Sequence, residues 1–126
     1  MARKRWRSLT TRLTIRIDFD QQRQLGHGKI RLLELIVTHG SISSAARAMK
    51  MSYRRAWLLM DEVNNMFASP VFETQLGGKG GGNARLTEFG RKLIELYRSV
   101  EKDTEQRFAD EIAGLERALK PVVAEK

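Results

Sequence analysis

The sequence predicts a mainly α-helical fold with a small β-wing, followed by a long C-terminal helix. Three observations lead to this prediction. Apolar residues recur at helical spacing over much of the chain between residues 29 and 120. Two short helices, at residues 44–49 and 52–67, are separated by a two-residue turn. A glycine-rich loop, GGKGGGN, then divides two short segments with strand character. Together they indicate a winged helix-turn-helix with a long dimerisation helix.

Composition narrows the possible functions. The chain has 126 residues, no Cys and only two His, so disulfides, thiolate metal sites and Cys nucleophiles are excluded. No H-E-x-x-H pattern accompanies the histidines, and we expect neither catalysis nor a metal or other cofactor. No 18-residue apolar run is present, and no apolar segment follows the basic N-terminus. The sequence therefore predicts no membrane span and no secretory signal, and a cytoplasmic location is expected.

Positive charge is concentrated in the first half of the chain. The net charge is +8; residues 1–60 hold 13 Lys and Arg against 3 Asp and Glu, whereas residues 61–126 hold 10 against 12. The basic half is the half with the paired short helices. A one-sided basic surface suits a polyanionic partner, because neutralising phosphates releases counterions. The alternative is a basic, solvated surface that has no partner.

The N-terminal elements follow in order. Residues 1–11 form a basic arm without apolar periodicity, which predicts a flexible segment. Residues 13–20 alternate apolar and polar side chains, as in a half-buried strand. A central core helix is predicted over residues 29–39, with Gly40 at its stop position. Ser43 is expected to cap the first short helix and Ser52 the second, by accepting backbone N–H groups.

The second short helix has a clear core face, made of Ala56, Leu59, Met60, Val63 and Phe67. Pro70 is expected to end it. Strands at residues 71–76 and 84–86 then flank the loop at residues 77–83. The predicted domains are the arm at 1–11, the winged helix-turn-helix at 12–86, a dimerisation helix at 87–120 capped by Thr87, and a tail at 121–126.

The predicted long helix has apolar positions close to a heptad repeat. Its second half extends beyond a single compact core, so a second copy of the chain is the simplest partner. The predicted dimerisation residues are Leu93, Leu96, Val100, Phe108, Ile112, Leu115 and Leu119.

The glycine-rich loop matches neither common nucleotide-binding motif. Gly80 follows Lys79 where a Walker A loop needs Ser or Thr, and Asn83 stands where a dinucleotide loop needs its third glycine. Two interpretations remain: a flexible hairpin tip, or a tip through which Lys79 and backbone amides reach a DNA phosphate. We favour the second, because the loop follows a helix-turn-helix.

In a helix-turn-helix, the N-terminal residues of the second helix meet base edges in the major groove. An arginine fork matches guanine O6 and N7. Because Arg54 and Arg55 point about 100° apart on a helix, one can read a base while the other holds a phosphate, and the sequence leaves open which. Trp57 is expected to pack half-buried rather than to read bases. The predicted DNA-binding residues are Ser43, Ser44, Arg47, Ser52, Tyr53, Arg54, Arg55, Trp57, Lys79, Gly80, Gly81, Asn83 and Arg85.

The segment SISSAARAMKMSYRRAWLLMDEVN, followed by GGKGGGNARLTEFGRKLIELY, resembles the N-terminal DNA-binding domain of the ModE molybdate-responsive transcription regulators. The resemblance covers about residues 25–105. It implies a winged helix-turn-helix related to the LysR type, with DNA contacts at residues 52–55 and at Lys79, and dimerisation through the first strand and the long helix. Full-length members of that family carry Mop-like molybdate-binding domains, and no strand-rich segment is expected after Pro121. We therefore do not expect this chain to sense an oxyanion directly. Three alternatives stay open: a stand-alone regulator, a naturally short family member, and a form that works with a separate effector-binding subunit.

The sequence therefore predicts a nucleoid-associated transcription regulator that binds a palindromic double-stranded operator as a homodimer. Control of molybdenum-related genes is implied by the resemblance. Two alternatives stay open: an accessory protein that modulates a full-length regulator without an operator of its own, and an RNA-binding protein that uses the same basic surface.

Overall fold

The structure, a computed structural model, describes residues 11–75 and 83–121. Nearly all of the predicted arm, the last residue of the predicted strand at 71–76, the glycine-rich loop except Asn83 and the last five residues lie outside this range. The elements in chain order are β1 (Arg16–Asp18), β2 (Gln24–Gly26), α1 (His27–His39), α2 (Ile42–Ala48), α3 (Tyr53–Met66), β3 (Phe72–Gln75), β4 (Asn83–Leu86), α4 (Glu88–Arg107) and α5 (Ala109–Ala118). The described chain is mostly helical with two small antiparallel sheets, which is compatible with a winged helix.

The chain divides into two compact units. Of the described residues, those between 14 and 99 form one unit, and residues 11–13 with 100–121 form the other. The first unit holds the hydrophobic core, to which α1 contributes Ile30, Leu32, Leu33, Leu35 and Ile36. No helix in the described parts of the chain is long and apolar enough to cross a membrane.

The predicted strand at residues 13–20 is shorter and more exposed than expected. Only Arg16–Asp18 forms a strand, and all three residues are exposed. The strand pairs with β2, which the sequence analysis missed, with Ile17 opposite Leu25. Asp20 ends the strand by accepting from the backbone N–H groups of Gln22 and Arg23, at 3.0 and 2.7 Å. Burial alternates only up to Ile15, before the strand begins, whereas Ile17 and Phe19, predicted on the half-buried face, are 37% and 50% exposed.

The residues that end and cap the helices agree with the sequence prediction at three helix ends and differ from it at one. Ser41, not Ser43, is the N-cap of α2: its Oγ accepts from the Ser44 N–H at 3.1 Å. The sequence offers several serines here, and burial of Ile42 in the core makes that residue the first of the helix. Gly40 ends α1 in the left-handed conformation, with φ of 82°. Ser52 and Thr87 cap the following helices, accepting from Arg55 N–H and Gly90 N–H at 3.0 Å each.

The α3 helix buries Ala56, Met60 and Val63, as its spacing predicts. It ends at Met66, before Pro70 is reached. Phe67, just after the helix, lies edge-on to the rings of Phe19 and Phe89, with ring centroids 6.0 and 5.3 Å apart. These aromatic contacts help to hold the N-terminal ribbon and the start of α4 on the same core.

The β3–β4 hairpin is anchored to the helices at several points. Its strands pair antiparallel, with Phe72 opposite Leu86 and Gln75 opposite Asn83. Asn83, predicted to lie in the loop, is therefore the first residue of β4. Ala84 N–H donates to the Gly40 carbonyl at 3.0 Å, which joins the hairpin to the end of α1. Ala84 and Leu86 are also buried, so residues of the hairpin contribute to a core that is otherwise mostly helical.

The predicted single helix over residues 88–120 is interrupted at Phe108, whose ψ of 25° separates α4 from α5. Backbone hydrogen bonds still connect the two helices, from Phe108 N–H to the Thr104 carbonyl and from Ile112 N–H to the Phe108 carbonyl. The Thr104 hydroxyl also donates to the Val100 carbonyl at 2.7 Å. Such back-bonding by a threonine often bends a helix. The sequence pattern could not show this break, because no proline marks it.

The inward face of α4 also differs from the predicted seam. Tyr97 is buried, and its hydroxyl donates to the Ile15 carbonyl. Beside it, Arg98 makes two hydrogen bonds to the Glu34 carboxylate, at 2.8 and 2.9 Å. The hydrogen bonds from Arg98 lower the pKa of the Glu34 carboxyl. Partial burial of the carboxyl acts in the opposite direction, and a further hydrogen bond from Arg31 lowers the pKa again. The apolar repeat of the sequence indicates no role for Tyr97 or Arg98, because neither residue belongs to it.

Candidate nucleic-acid interface

The turn between α2 and α3 is held by two backbone hydrogen bonds. Lys50 N–H donates to the Arg47 carbonyl and Met51 N–H to the Ala46 carbonyl, both at 3.0 Å. Lys50 adopts the left-handed conformation, with φ of 58°, which is uncommon for a residue with a side chain. The turn fixes the direction in which α3 leaves α2, and it places the exposed start of α3 next to α2.

The first turn of α3 presents three exposed side chains, those of Tyr53, Arg54 and Arg55. The Ser52 hydroxyl satisfies one of the free N–H groups at this helix end. The positive end of the helix dipole adds to the two guanidinium charges. This end of α3 is therefore suited to an anionic or strongly electron-rich partner.

Tyr53 and Trp57 form a hydrogen-bonded pair one helical turn apart. The Trp57 indole Nε1 donates to the Tyr53 hydroxyl oxygen at 2.6 Å. Indole can only donate, so the tyrosine oxygen accepts and its own hydrogen is available to another acceptor. Trp57 is half-buried against the core, as predicted, and it orients the exposed Tyr53 ring.

Arg47 on α2 is oriented by two serines that the sequence analysis also selected. Its guanidinium donates to the hydroxyls of Ser43 and Ser44, at 3.2 Å each. Both serines are half-buried and lie inside α2. The three residues thus form one cluster, in which the serines hold an exposed cation near the turn.

The hairpin residues are only partly described. Asn83 and Arg85 lie exposed on β4, and Arg85 stands opposite Glu73 on β3. Lys79, Gly80 and Gly81 lie outside the described residues. Over the described parts of the chain, no group of three or more His, Asp or Glu is placed to hold a metal ion.

The predicted dimerisation residues differ in exposure. Leu93 packs partly against the core of its own unit. Leu96 is 65% exposed on α4, while Leu115 and Leu119 are each 70% exposed at α5 and its end. Val100 and Phe108 are moderately exposed, and Ile112 is half-buried.

One exposed residue of α3, Leu58, was not among the residues that the sequence predicted for the interface. Leu58 is 53% exposed and borders an open depression of about 500 Å³ together with Tyr53, Arg54, Trp57 and Asp61. The signal was available, because Leu58 falls outside the i, i+3, i+4 series that defines the core face of α3.

No protein-family model matches the chain. It is 48% identical over 78 residues to the molybdenum-pterin-binding protein MopA of Rhodobacter capsulatus, which covers 62% of this chain and 29% of that protein. It is 34% identical over 98 residues to the transcriptional regulator ModE of Haemophilus influenzae, and this match covers 78% of this chain and 38% of that protein. It is 44% identical over 69 residues to the DNA-binding transcriptional dual regulator ModE of Escherichia coli, and this match covers 55% of this chain and 26% of that protein.

The chain spans less than two fifths of the length of each of these relatives. The matched part nevertheless reaches identities at which a shared ancestry is the simplest explanation. Over that part, this chain is similar to transcriptional regulators named ModE.

Proposed function

We propose that this chain is a ModE-like transcription regulator that binds double-stranded DNA through a winged helix-turn-helix. In this proposal, α2 and α3 are the helix pair, α3 is the recognition helix and the β3–β4 hairpin is the wing. The observation that carries the proposal is the exposed Tyr53–Arg54–Arg55 start of α3, beside the serine-held Arg47. The similarity to regulators named ModE supports the same conclusion.

The sides of α3 suggest separate roles for its two arginines. Arg54 borders the depression that also contains Leu58 and Asp61. Arg55 lies about 100° around the helix from it. We assign base reading to Arg54 and phosphate contact to Arg55, because the depression follows the axis of the helix that would enter the groove. Arg47 would hold a phosphate on the opposite side of the turn.

Arg54→Ala is expected to relax base preference by about tenfold at one position of the preferred duplex, since it removes a bidentate guanine contact. Arg55→Ala is expected to weaken all duplexes alike and to reduce the salt slope by about 1. Fluorescence anisotropy with matched and single-mismatch duplexes, over a salt series, measures both. Lys102→Ala removes the same charge from an exposed site on α4 and serves as the control. Unchanged discrimination in Arg54→Ala would show that this residue does not read a base.

Competition between nucleic acids tests the function as a whole. A duplex enriched from a random library by the parent chain is challenged with random duplex and with RNA at fixed physiological salt. We expect strong preference for the enriched duplex. A specificity ratio near one against random duplex would favour the accessory-protein alternative, and a preference for RNA would favour the RNA-binding alternative.

We propose further that the chain acts as a homodimer on a palindromic operator, with two recognition helices entering major grooves about 34 Å apart. The support is the exposed apolar residues at the end of the chain's last helix: Leu115 on α5 and Leu119, just after it, are each 70% exposed. An apolar surface of this kind is stabilised when a second copy covers it.

Leu115→Glu is expected to give a monomer, because the new carboxylate would be desolvated in the interface. Light scattering at micromolar concentration measures the mass of the parent and of the variant. Arg117→Glu introduces a carboxylate about 200° further around the same helix and should leave the dimer intact. A monomeric parent would contradict the dimer proposal.

A further inference from the structure

Leu58 lies on the side of α3 that faces away from the core. It is about 200° around the helix from both Ala56 and Met60, which are fully buried. Its side chain is 53% exposed, whereas the half-buried Leu59 packs against the core. Core packing therefore does not explain a leucine at this position.

A single exposed leucine is ordinary on a protein surface. The surroundings of Leu58 distinguish it from the others. It lies at the centre of the exposed side of α3, one turn after Arg54 and one turn before Asp61, and all three line one open depression. The Tyr53–Trp57 pair forms another border of the same depression. An apolar side chain is thus surrounded by groups suited to hydrogen bonding with base edges.

The depression is open and lies along the helix, so its shape fits the edges of successive base pairs better than an enclosed small molecule. On the major-groove edges of the four base pairs, the C5-methyl of thymine is the only methyl group and the largest apolar group. A leucine that enters this groove gains most contact area at that methyl group. At other base edges it would cover donors and acceptors without satisfying them.

We propose that Leu58 is a specificity-determining residue that contacts a thymine C5-methyl group in the major groove. The inference rests on the proposed DNA binding through α3. Leu58 lies about 6 Å along the helix from Arg54, and base pairs are about 3.4 Å apart along the duplex. The contacted thymine therefore lies within about two base pairs of the base that Arg54 reads.

The test combines a protein substitution with the removal of a single methyl group from DNA. The probe is the duplex that the parent chain enriches from a random library. Each thymine is replaced in turn by deoxyuridine, which lacks only the C5-methyl and keeps all base-pairing groups. Affinities of the parent, Leu58→Ala and Leu58→Met are measured for every singly substituted duplex. Asn65→Ala, a truncation at another exposed position of α3, is the control variant.

We expect one thymine position in each half-site at which deoxyuridine weakens the parent about fourfold, the effect of one apolar carbon removed from water. At that position Leu58→Ala should bind thymine and deoxyuridine equally. Leu58→Met, which keeps an apolar side chain of similar volume, should retain the difference, as should Asn65→Ala.

Two results would overturn the inference. One is a deoxyuridine penalty in Leu58→Ala that equals the parental penalty at every thymine. The other is an enriched duplex without thymine near the base read by Arg54. If the parent chain enriches no duplex at all, the proposed DNA-binding function itself is contradicted. That outcome differs from either of the two results above, so failure of the function and failure of the Leu58 inference are distinguishable. Thermal unfolding of Leu58→Ala should match that of the parent, because the residue lies outside the core.

Discussion

Gly90→Ala is expected to destabilise the protein by about 3 kcal/mol, the upper part of the usual range for overpacking. Gly90 lies in the first turn of α4, directly against the start of the hairpin. A Cβ at this position would come within 2.1 Å of the Val71 carbonyl oxygen and 3.2 Å of Val71 Cγ1. No side-chain rotation relieves the closer contact, since the obstructing atom belongs to the backbone.

The Val71 carbonyl cannot move away without breaking other bonds. It accepts from the Thr87 N–H at 3.0 Å. The single hydrogen of the Thr87 hydroxyl is shared between the Pro70 and Val71 carbonyl oxygens, which lie 2.7 and 3.0 Å from the hydroxyl oxygen. The Thr87 hydroxyl in turn accepts from Gly90 N–H. The close approach of α4 to the hairpin and the capping of α4 therefore depend on the same group, and an added methyl disturbs both.

Urea denaturation with a circular dichroism signal measures the free energy of unfolding of this variant. Gly28→Ala is the matched control, because no atom lies within 4 Å of a Cβ built on Gly28, in the first turn of α1. That variant should be as stable as the parent, or more stable by about 0.5–1 kcal/mol, through lower entropy of the unfolded chain. Equal stabilities of Gly90→Ala and Gly28→Ala would contradict the close packing of α4 against Val71.

Asn64→Ala is expected to cost about 2–4 kcal/mol, because it leaves several buried backbone groups without partners. The Asn64 Oδ1 accepts from Val71 N–H at 2.7 Å and from Phe72 N–H at 3.2 Å. Its Nδ2 donates to the Phe72 carbonyl at 3.2 Å. One side chain of α3 thus fixes the first residues of the hairpin, and both of those residues are buried.

Two further variants separate hydrogen bonding from helix propensity. Asn65→Ala makes the same change at the adjacent, exposed position and should alter the free energy of unfolding by less than about 0.5 kcal/mol. Asn64→Asp keeps an acceptor for the two N–H groups but replaces the donor to Phe72 with a second oxygen, so an intermediate loss is expected. If both alanine variants unfold at the same urea concentration, the side chain of Asn64 does not hold the hairpin.

Much of the candidate interface could be predicted locally. The capping residues Ser52 and Thr87 and the stop at Gly40 follow from the chemistry of free N–H groups and of the left-handed conformation. The exposure of Tyr53, Arg54 and Arg55 follows from the spacing of the core residues of α3. The same spacing also predicts that Leu58 is exposed. A single exposed leucine is ordinary, however, and only the structure shows that this one lines a depression with Arg54 and Asp61.

The sequence alone determined the helices α1 to α3 and their order, the start of α4, the basic character of the α2–α3 segment and the type of side chain at the start of α3. These are local properties, set by periodicity within one helix and by hydrogen bonding within one turn. The tertiary structure decided what depends on residues far apart in the chain. It selected Ser41 as a cap through burial of Ile42, paired β1 with β2, and placed Gly90 and Asn64 against Val71. Such contacts produce no periodic pattern in the sequence, because each one forms between two elements that are far apart in the chain.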